Sequence, residues 1–187
     1  MNLIKEIQEY EPINEQEKED KERMLFFLNQ YDNCLLRENR IGHFTASAWI
    51  VNKERKKTLL IYHKIYDSWA WVGGHADGEK NLREVAIKEV KEETGVKNIH
   101  FISDKIFSLE VLTVDGHEKK GQYISSHLHF NITYLVECDE KDDLVKNVEE
   151  TKGVRWFRIE EIDDVVSEPW MMKRIYKKLI EKQKEMM

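Results

Sequence analysis

The chain is 187 residues long, carries 36 acidic against 30 basic side chains and has a formal net charge of −6. That length is enough for one sizeable core and near the size of a single domain, and the acidic balance argues against duplex nucleic acid or a membrane surface as partner without excluding a nucleotide held in a local cationic pocket. Segment 1–40 holds no apolar run of signal-peptide or membrane-spanning length, since Lys5, Glu6 and Glu9 interrupt its start, so a cytoplasmic protein is expected.

In chain order, Asn14 followed three residues later by Glu17 has the spacing of a capping box and opens a helix carrying Met24, Leu25, Phe27 and Leu28. Residues 1–40 therefore read as an N-terminal helical extension to a domain over 41–187. Strand composition appears at 43–52 and 58–63, with the charged stretch 53–57 as the hairpin turn. The aromatic run Trp69-Ala70-Trp71-Val72 reads as a strand, Gly73-Gly74 as a tight loop that lets backbone approach a ligand closely, and the residues from Leu82 as a helix. Residues 105–114 form another strand candidate, and 115–122, polar with two glycines, a mobile loop. From His127 to Tyr134 apolar Leu128, Phe130 and Ile132 alternate with polar His127, His129, Asn131 and Thr133. One face of that strand should enter the core and the other meet water or ligand. His127 and His129 either touch a phosphate or sugar, or carry protons near neutral pH, or are incidental to a solvated face. They lack a carboxylate at ligand spacing and are not assigned to a metal. The charged stretch 139–143 reads as a solvated turn. Ser167-Glu168-Pro169 supplies an N-cap and early proline to a helix with Trp170, Met171, Ile175, Tyr176 and Leu179. Cys34 and Cys138 are far apart without metal-type spacing and read as ordinary thiols. Strands, a helix, more strands and a final helix make an α+β or mixed α/β chain.

The helix from Leu82 carries the chemistry. Glu89, Glu92 and Glu93 stand at i, i+3 and i+4 and so repel one another. Leu82, Val85, Ala86 and Val90 form its apolar stripe, with Glu89 and Glu93 in or beside it. All three acids sit in the second half of the helix, where the macrodipole disfavours them, and Gly95 ends it. A hard divalent cation, Mg²⁺ or Mn²⁺, would relieve that repulsion through oxygen ligands. The competing reading is a solvated acidic face paired with Lys88 and Lys91.

Gly74, Glu89, Val90, Glu92, Glu93, Gly95 and Val96 match, at the right spacing, the pattern G-x5-E-x7-R-E-U-x-E-E-x-G-U, where U is a bulky aliphatic residue. The stretch Gly74 to Val96 thus resembles the Nudix box. The resemblance implies a mixed β-sheet sandwiched between α-helices and a divalent-metal-dependent hydrolase that cleaves the phosphoanhydride bond of a nucleoside diphosphate linked to another moiety. It further implies metal ligation by Glu89 and Glu93 with help from Glu92 and the Gly73 carbonyl, and a small diphosphate compound as partner. Glu149-Glu150, before Val154-Arg155-Trp156-Phe157, is the second acidic feature. Relatives of this type often present an acid there, which makes Glu150 a candidate ligand or base beside Glu89, Glu92 and Glu93, against the reading of both as surface charges. Trp49, Trp69, Trp71 and Tyr123 are candidates for stacking on a base, with core packing the competing role for each.

Two positions depart from the pattern. Lys80 stands where the box has its first Glu, with Glu79 adjacent, and Lys88 stands where it has Arg, keeping the charge but losing the planar fork. Val72 also stands where many relatives have Pro. These departures leave a second reading, a catalytically weakened nucleotide-binding sensor or regulator. A third, an interaction scaffold, is opposed by the Glu triplet. A homodimer is a common arrangement for such chains, and oligomeric state stays open.

Overall fold

A computed structural model describes residues 3–65, 67–119, 121–147 and 151–186. Two helices open the chain, α1 (Leu3–Glu9) and α2 (Glu15–Gln30). The Asn14 side chain accepts from the Glu17 N–H at 2.9 Å, while the Glu17 carboxylate reaches back to the Ile13 N–H at 3.0 Å, one residue beyond the usual capping box. Strands β1 (Gly42–Val51) and β2 (Lys57–His63) follow, with Asn52 closing the turn by accepting from the Lys56 and Lys57 N–H groups. The aromatic run is two short strands rather than one: β3 (Ser68–Ala70) pairs with β2, and β4 (Val72–His75) with β1. Then come α3 (Leu82–Thr94), β5 (Ile99–Phe101), β6 (Ser108–Val114), β7 (His117–Lys119), β8 (Gln122–Ile124), β9 (His127–Cys138) and β10 (Thr151–Arg158).

Eight strands make one mixed sheet along the path β10-β2-β1-β9-β5, with β3, β4 and β6 attached to β2, β1 and β9. The single parallel pair in this path, β1 with β9, lies at its centre. Every residue of β1 is buried because both of its faces are covered. On one face Phe44 and Ala46 meet Val85 and Ala86 of α3, and Ala48 and Ile50 meet Val72 and Val90. The small Ala46 and Ala48 let the helix lie close to the sheet. On the other face Trp49 and Val51 pack with Phe157, Ile175 and Tyr176.

The segment 115–122 is not the loop its polarity predicts. Within it and beyond, β7 and β8 form a two-stranded hairpin whose turn uses Gly121 at φ 76°. Polar composition is compatible with a short exposed ribbon, which has no core face to mark it. The C-terminal segment is also more segmented than a single helix. After α4 (Ile162–Val165), α5 (Pro169–Met171) passes through a π-turn at Met172–Tyr176 into α6 (Lys177–Glu185). Glu168 holds the N-cap position, while the Ser167 N–H and hydroxyl bind Ser68 Oγ and the Asp67 carbonyl and tie the helix start to β3.

Candidate active site

Gly73 and Gly74 lie within β4, paired with Ser47 and Ala46 of β1, and not in the tight loop their sequence predicts; there they press backbone against side chain on both sides. Gly73 lies opposite Ser47 of β1, and a Cβ there would fall 2.5 Å from Ser47 Oγ and 2.8 Å from the Ala46 carbonyl. At Gly74 a Cβ would fall 2.3 Å from Glu89 Cδ, inside the carboxyl group itself. The Glu89 carboxylate therefore rests on the Gly74 backbone, in space that only glycine leaves open. Asp77, at φ 47°, and Gly78, at φ 89°, turn the chain, and Arg37 holds the Asp77 carboxylate with two 2.6 Å bonds. Those bonds from Arg37 pull the Asp77 carboxyl below its ordinary value.

Leu82, Val85, Ala86 and Val90 seat α3, and its stripe continues into Glu93, which is 3% exposed. Glu89 is half-buried. Glu92 turns outward, where its carboxylate lies 3.8 Å from Lys88 Nζ, so Lys88 faces solvent as well. Of the three acids, two lean inward and one stands on the rim. Gly95, in the left-handed conformation at φ 75°, closes the helix. Glu79 is exposed and caps the start of α3 by accepting from the Asn81 N–H at 2.8 Å. Lys80 is exposed. Glu149 and Glu150 lie outside the described residues.

The polar face of β9 does not meet water along its length, contrary to its alternating pattern. Asn131 and Thr133 are buried, and with Thr45, Ser47 and Glu110 they form a hydrogen-bonded seam. Asn131 accepts from Ser47 at 2.7 Å and Thr45 at 3.0 Å and donates to Glu110 at 3.1 Å, while Thr133 donates to Glu110 at 3.0 Å. Glu110 and Glu17 are in turn neutralised by Lys178 at 2.9 and 3.1 Å, with Lys182 3.3 Å from Glu17. Burial pulls the Lys178 ammonium down, but Glu110 and Glu17 outweigh it and hold the group above its ordinary value. For Glu17 burial pushes up, and Lys178, the Ile13 N–H and Lys182 prevail, leaving it low. Two acids and two lysines thus share one buried cluster, drawn from segments whose sequence spacing gives no signal of it.

At the opposite end of this seam His43, His75, His127 and His129 gather, which alternation along β9 alone could not reveal because two of them come from β1 and β4. Burial, followed by the neighbouring imidazoles His75, His43 and His127, drives His129 well below its ordinary pKa; burial also lowers His43.

The aromatic candidates separate by burial. Trp49 is fully buried, stacks on Tyr176 and donates to Gln183 at 2.8 Å. Trp71 packs edge-on to Tyr176, and Trp69 meets Tyr62 and Phe157 edge-on. Only Tyr123 among the four stands open, at 73% exposure. Cys34 and Cys138 are buried free thiols, as their spacing predicts.

The inward face of α3 fits a hard divalent cation. Its donors are carboxylate oxygens, and Gly74 leaves room beside one of them for a close backbone approach. Among the described residues no helix is long and apolar enough to cross a membrane.

Comparison with curated protein sequences finds no match. Solved structures do match. A Nudix-family hydrolase from Clostridium perfringens is 23% identical, with a TM-score of 0.53 over 80% of this chain and 99% of its own. The Ap4A hydrolase of C. elegans, in a binary complex, is 20% identical with a TM-score of 0.55 over 76% and 95%. The dihydroneopterin triphosphate pyrophosphohydrolase of E. coli is 13% identical with a TM-score of 0.52 over 73% and 94%. The model of the NUDIX domain matches residues 42–183, which take in the sheet, the two glycines of β4 and α3. The mixed sheet and its flanking helices are those of solved Nudix hydrolases, and this chain belongs to the Nudix family.

Proposed function

We propose that the protein is a divalent-metal-dependent pyrophosphohydrolase that cleaves a diphosphate linkage in a small nucleotide derivative. The observation that carries this reading is the burial of Glu93 one turn from Glu89, whose carboxylate lies on the Gly74 backbone. Two acids held side by side against a sheet, at the end of the helix where the dipole disfavours them, present paired carboxylate oxygens of the kind a hard divalent cation takes as ligands. Glu89 and Glu93 would hold Mg²⁺ or Mn²⁺, with the Gly73 carbonyl beside them and Glu92 joining from the rim on leaving Lys88. When bound, the ion would supply charge neutralisation of the diphosphate and acidify a water. The chain's own part is to fix these donors and to take up the proton released as water attacks phosphorus, through a carboxylate of α3 or Glu150.

The C. elegans relative is an Ap4A hydrolase and the E. coli relative acts on dihydroneopterin triphosphate, which places phosphoanhydrides first among substrates to test. Residues 1–40 would serve as an extension that buttresses this domain. One observation favours the sensor reading. Lys88, standing where the family pattern has Arg, is exposed and faces Glu92 on the rim at 3.8 Å. Product analysis against a panel of dinucleoside polyphosphates, nucleotide sugars and nucleoside triphosphates, with Mg²⁺ or with chelator, separates the two. Metal-dependent release of a nucleoside monophosphate supports the hydrolase; nucleotide binding without turnover supports the sensor.

A further inference from the structure

The parallel pairing of β1 with β9 sets His43 directly opposite His129, and the antiparallel pairing of β4 sets His75 opposite Thr45, two residues along the same face of β1. The three rings make a nearly equilateral triangle with centroids 5.0, 4.9 and 4.9 Å apart. One nitrogen from each lies within 4.8 Å of the others. Three imidazoles converging from three strands differ in chemistry from the carboxylates of α3. Imidazole nitrogen suits ions of borderline softness, whereas carboxylates suit Mg²⁺ and Mn²⁺.

His43 supplies the second observation. It is 4% exposed, its Nδ1 lies 3.4 Å from the Asn39 carbonyl, and its Nε2 is buried with no hydrogen-bond partner among the described residues. A carbonyl only accepts, so the proton is on Nδ1 and Nε2 carries a lone pair. A backbone carbonyl that accepts from one ring nitrogen, fixing the tautomer and aiming the other nitrogen's lone pair, is the usual support of a metal-binding histidine. Left without an ion, that buried lone pair is an unoffset cost. His127 borders the position: its Nδ1 lies 2.9 Å from the Ser125 carbonyl and its Nε2 3.2 Å from His129 Nε2. A tetrahedral ion with bonds of about 2.0–2.1 Å sets its nitrogens about 3.3 Å apart, so the widest pair of the triangle, at most 4.8 Å, closes by no more than about 1.5 Å on binding.

We propose that His43, His75 and His129 form a binding site for a divalent transition-metal ion of the Zn²⁺ type, separate from the oxygen donors of α3. The ion would tie the ends of β1, β4 and β9 together beside the two glycines of β4, with His127 bordering the site. The site stands whether or not the carboxylates serve hydrolysis.

Co²⁺ titration of the metal-stripped full-length protein tests it, with excess Mg²⁺ present to fill the carboxylates and the visible d–d band and bound stoichiometry as readouts. The expected result is one bound Co²⁺ with the intense band of a four-coordinate nitrogen site, displaced by Zn²⁺. Affinity should fall at least about tenfold in His75→Ala and in His129→Ala and stay unchanged in Glu93→Gln. Melting curves identify folded variants, and whichever of His75→Ala and His129→Ala folds decides the matter. Absence of the band in wild type, its persistence in the folded histidine variants, or its loss in Glu93→Gln overturns the site.

Discussion

Gly74 is the residue on which the catalytic reading depends most locally. Its missing side chain is the space occupied by the Glu89 carboxylate, so Gly74→Ala must displace that acid. The expected outcome is a loss of at least about a hundredfold in kcat, since a misplacement of about 1 Å costs that much, with a melting temperature close to wild type. Steady-state kinetics beside a thermal melt checks it; a variant with near-normal turnover would separate Gly74 from the chemistry. The lean of Glu89 and Glu93 toward the interior was legible in the sequence, because helical periodicity places them beside Leu82, Val85, Ala86 and Val90. The outward turn of Glu92 was not, since the same wheel cannot tell which member of a crowded triplet pairs with Lys88. Glu79, adjacent to the missing first Glu of the pattern, is engaged in capping Asn81. Its replacement by Ala should cost roughly 0.5–1 kcal/mol of stability in denaturant unfolding.

At the scale of elements, α2 and α6 are joined through the edge of the sheet. Asp20 accepts from the Val111 N–H at 3.1 Å and so covers an edge group of β6, while Glu17 and Lys178 bring helix charges against Ser108 and Glu110 of the same strand. Lys178→Met leaves Glu17 and Glu110 buried with one lysine between them. It should cost about 3–5 kcal/mol in urea unfolding, part of which Glu110→Gln restores in the double variant. A single-variant loss below about 1 kcal/mol would show that water already reaches the cluster. The strands at 43–52 and 58–63 were readable from composition, and the strand from 127 to 134 from alternation. The fate of the polar face of β9 was not: alternation reports which residues share a face, not whether that face ends in water or against Ser47, Thr45 and Glu110. The hairpin of β7 and β8 escaped for the related reason that an exposed ribbon has no apolar period.

For the whole molecule, the balanced cluster sets an acid limit on stability. Glu17 titrates below its ordinary value of 4.5 in the folded chain. Its contribution is therefore complete above that value and is lost as pH falls through the lower folded one. Unfolding free energies measured from pH 7 down to 3 should decline below about 4.5, and the decline should be shallower in Glu17→Gln. A slope that is the same in both proteins would remove Glu17 from the acid limb. The same cluster fastens the N-terminal helices to the C-terminal one, so the two ends of the sequence hold the sheet that presents α3.

The central claim is that the inward carboxylates of α3 perform metal-dependent hydrolysis, and Glu93→Gln addresses it most directly. Turnover of the best substrate in Mg²⁺, measured beside thermal unfolding, should fall at least about a hundredfold in kcat while the variant stays folded. A folded Glu93→Gln protein with undiminished, metal-dependent turnover would contradict the account.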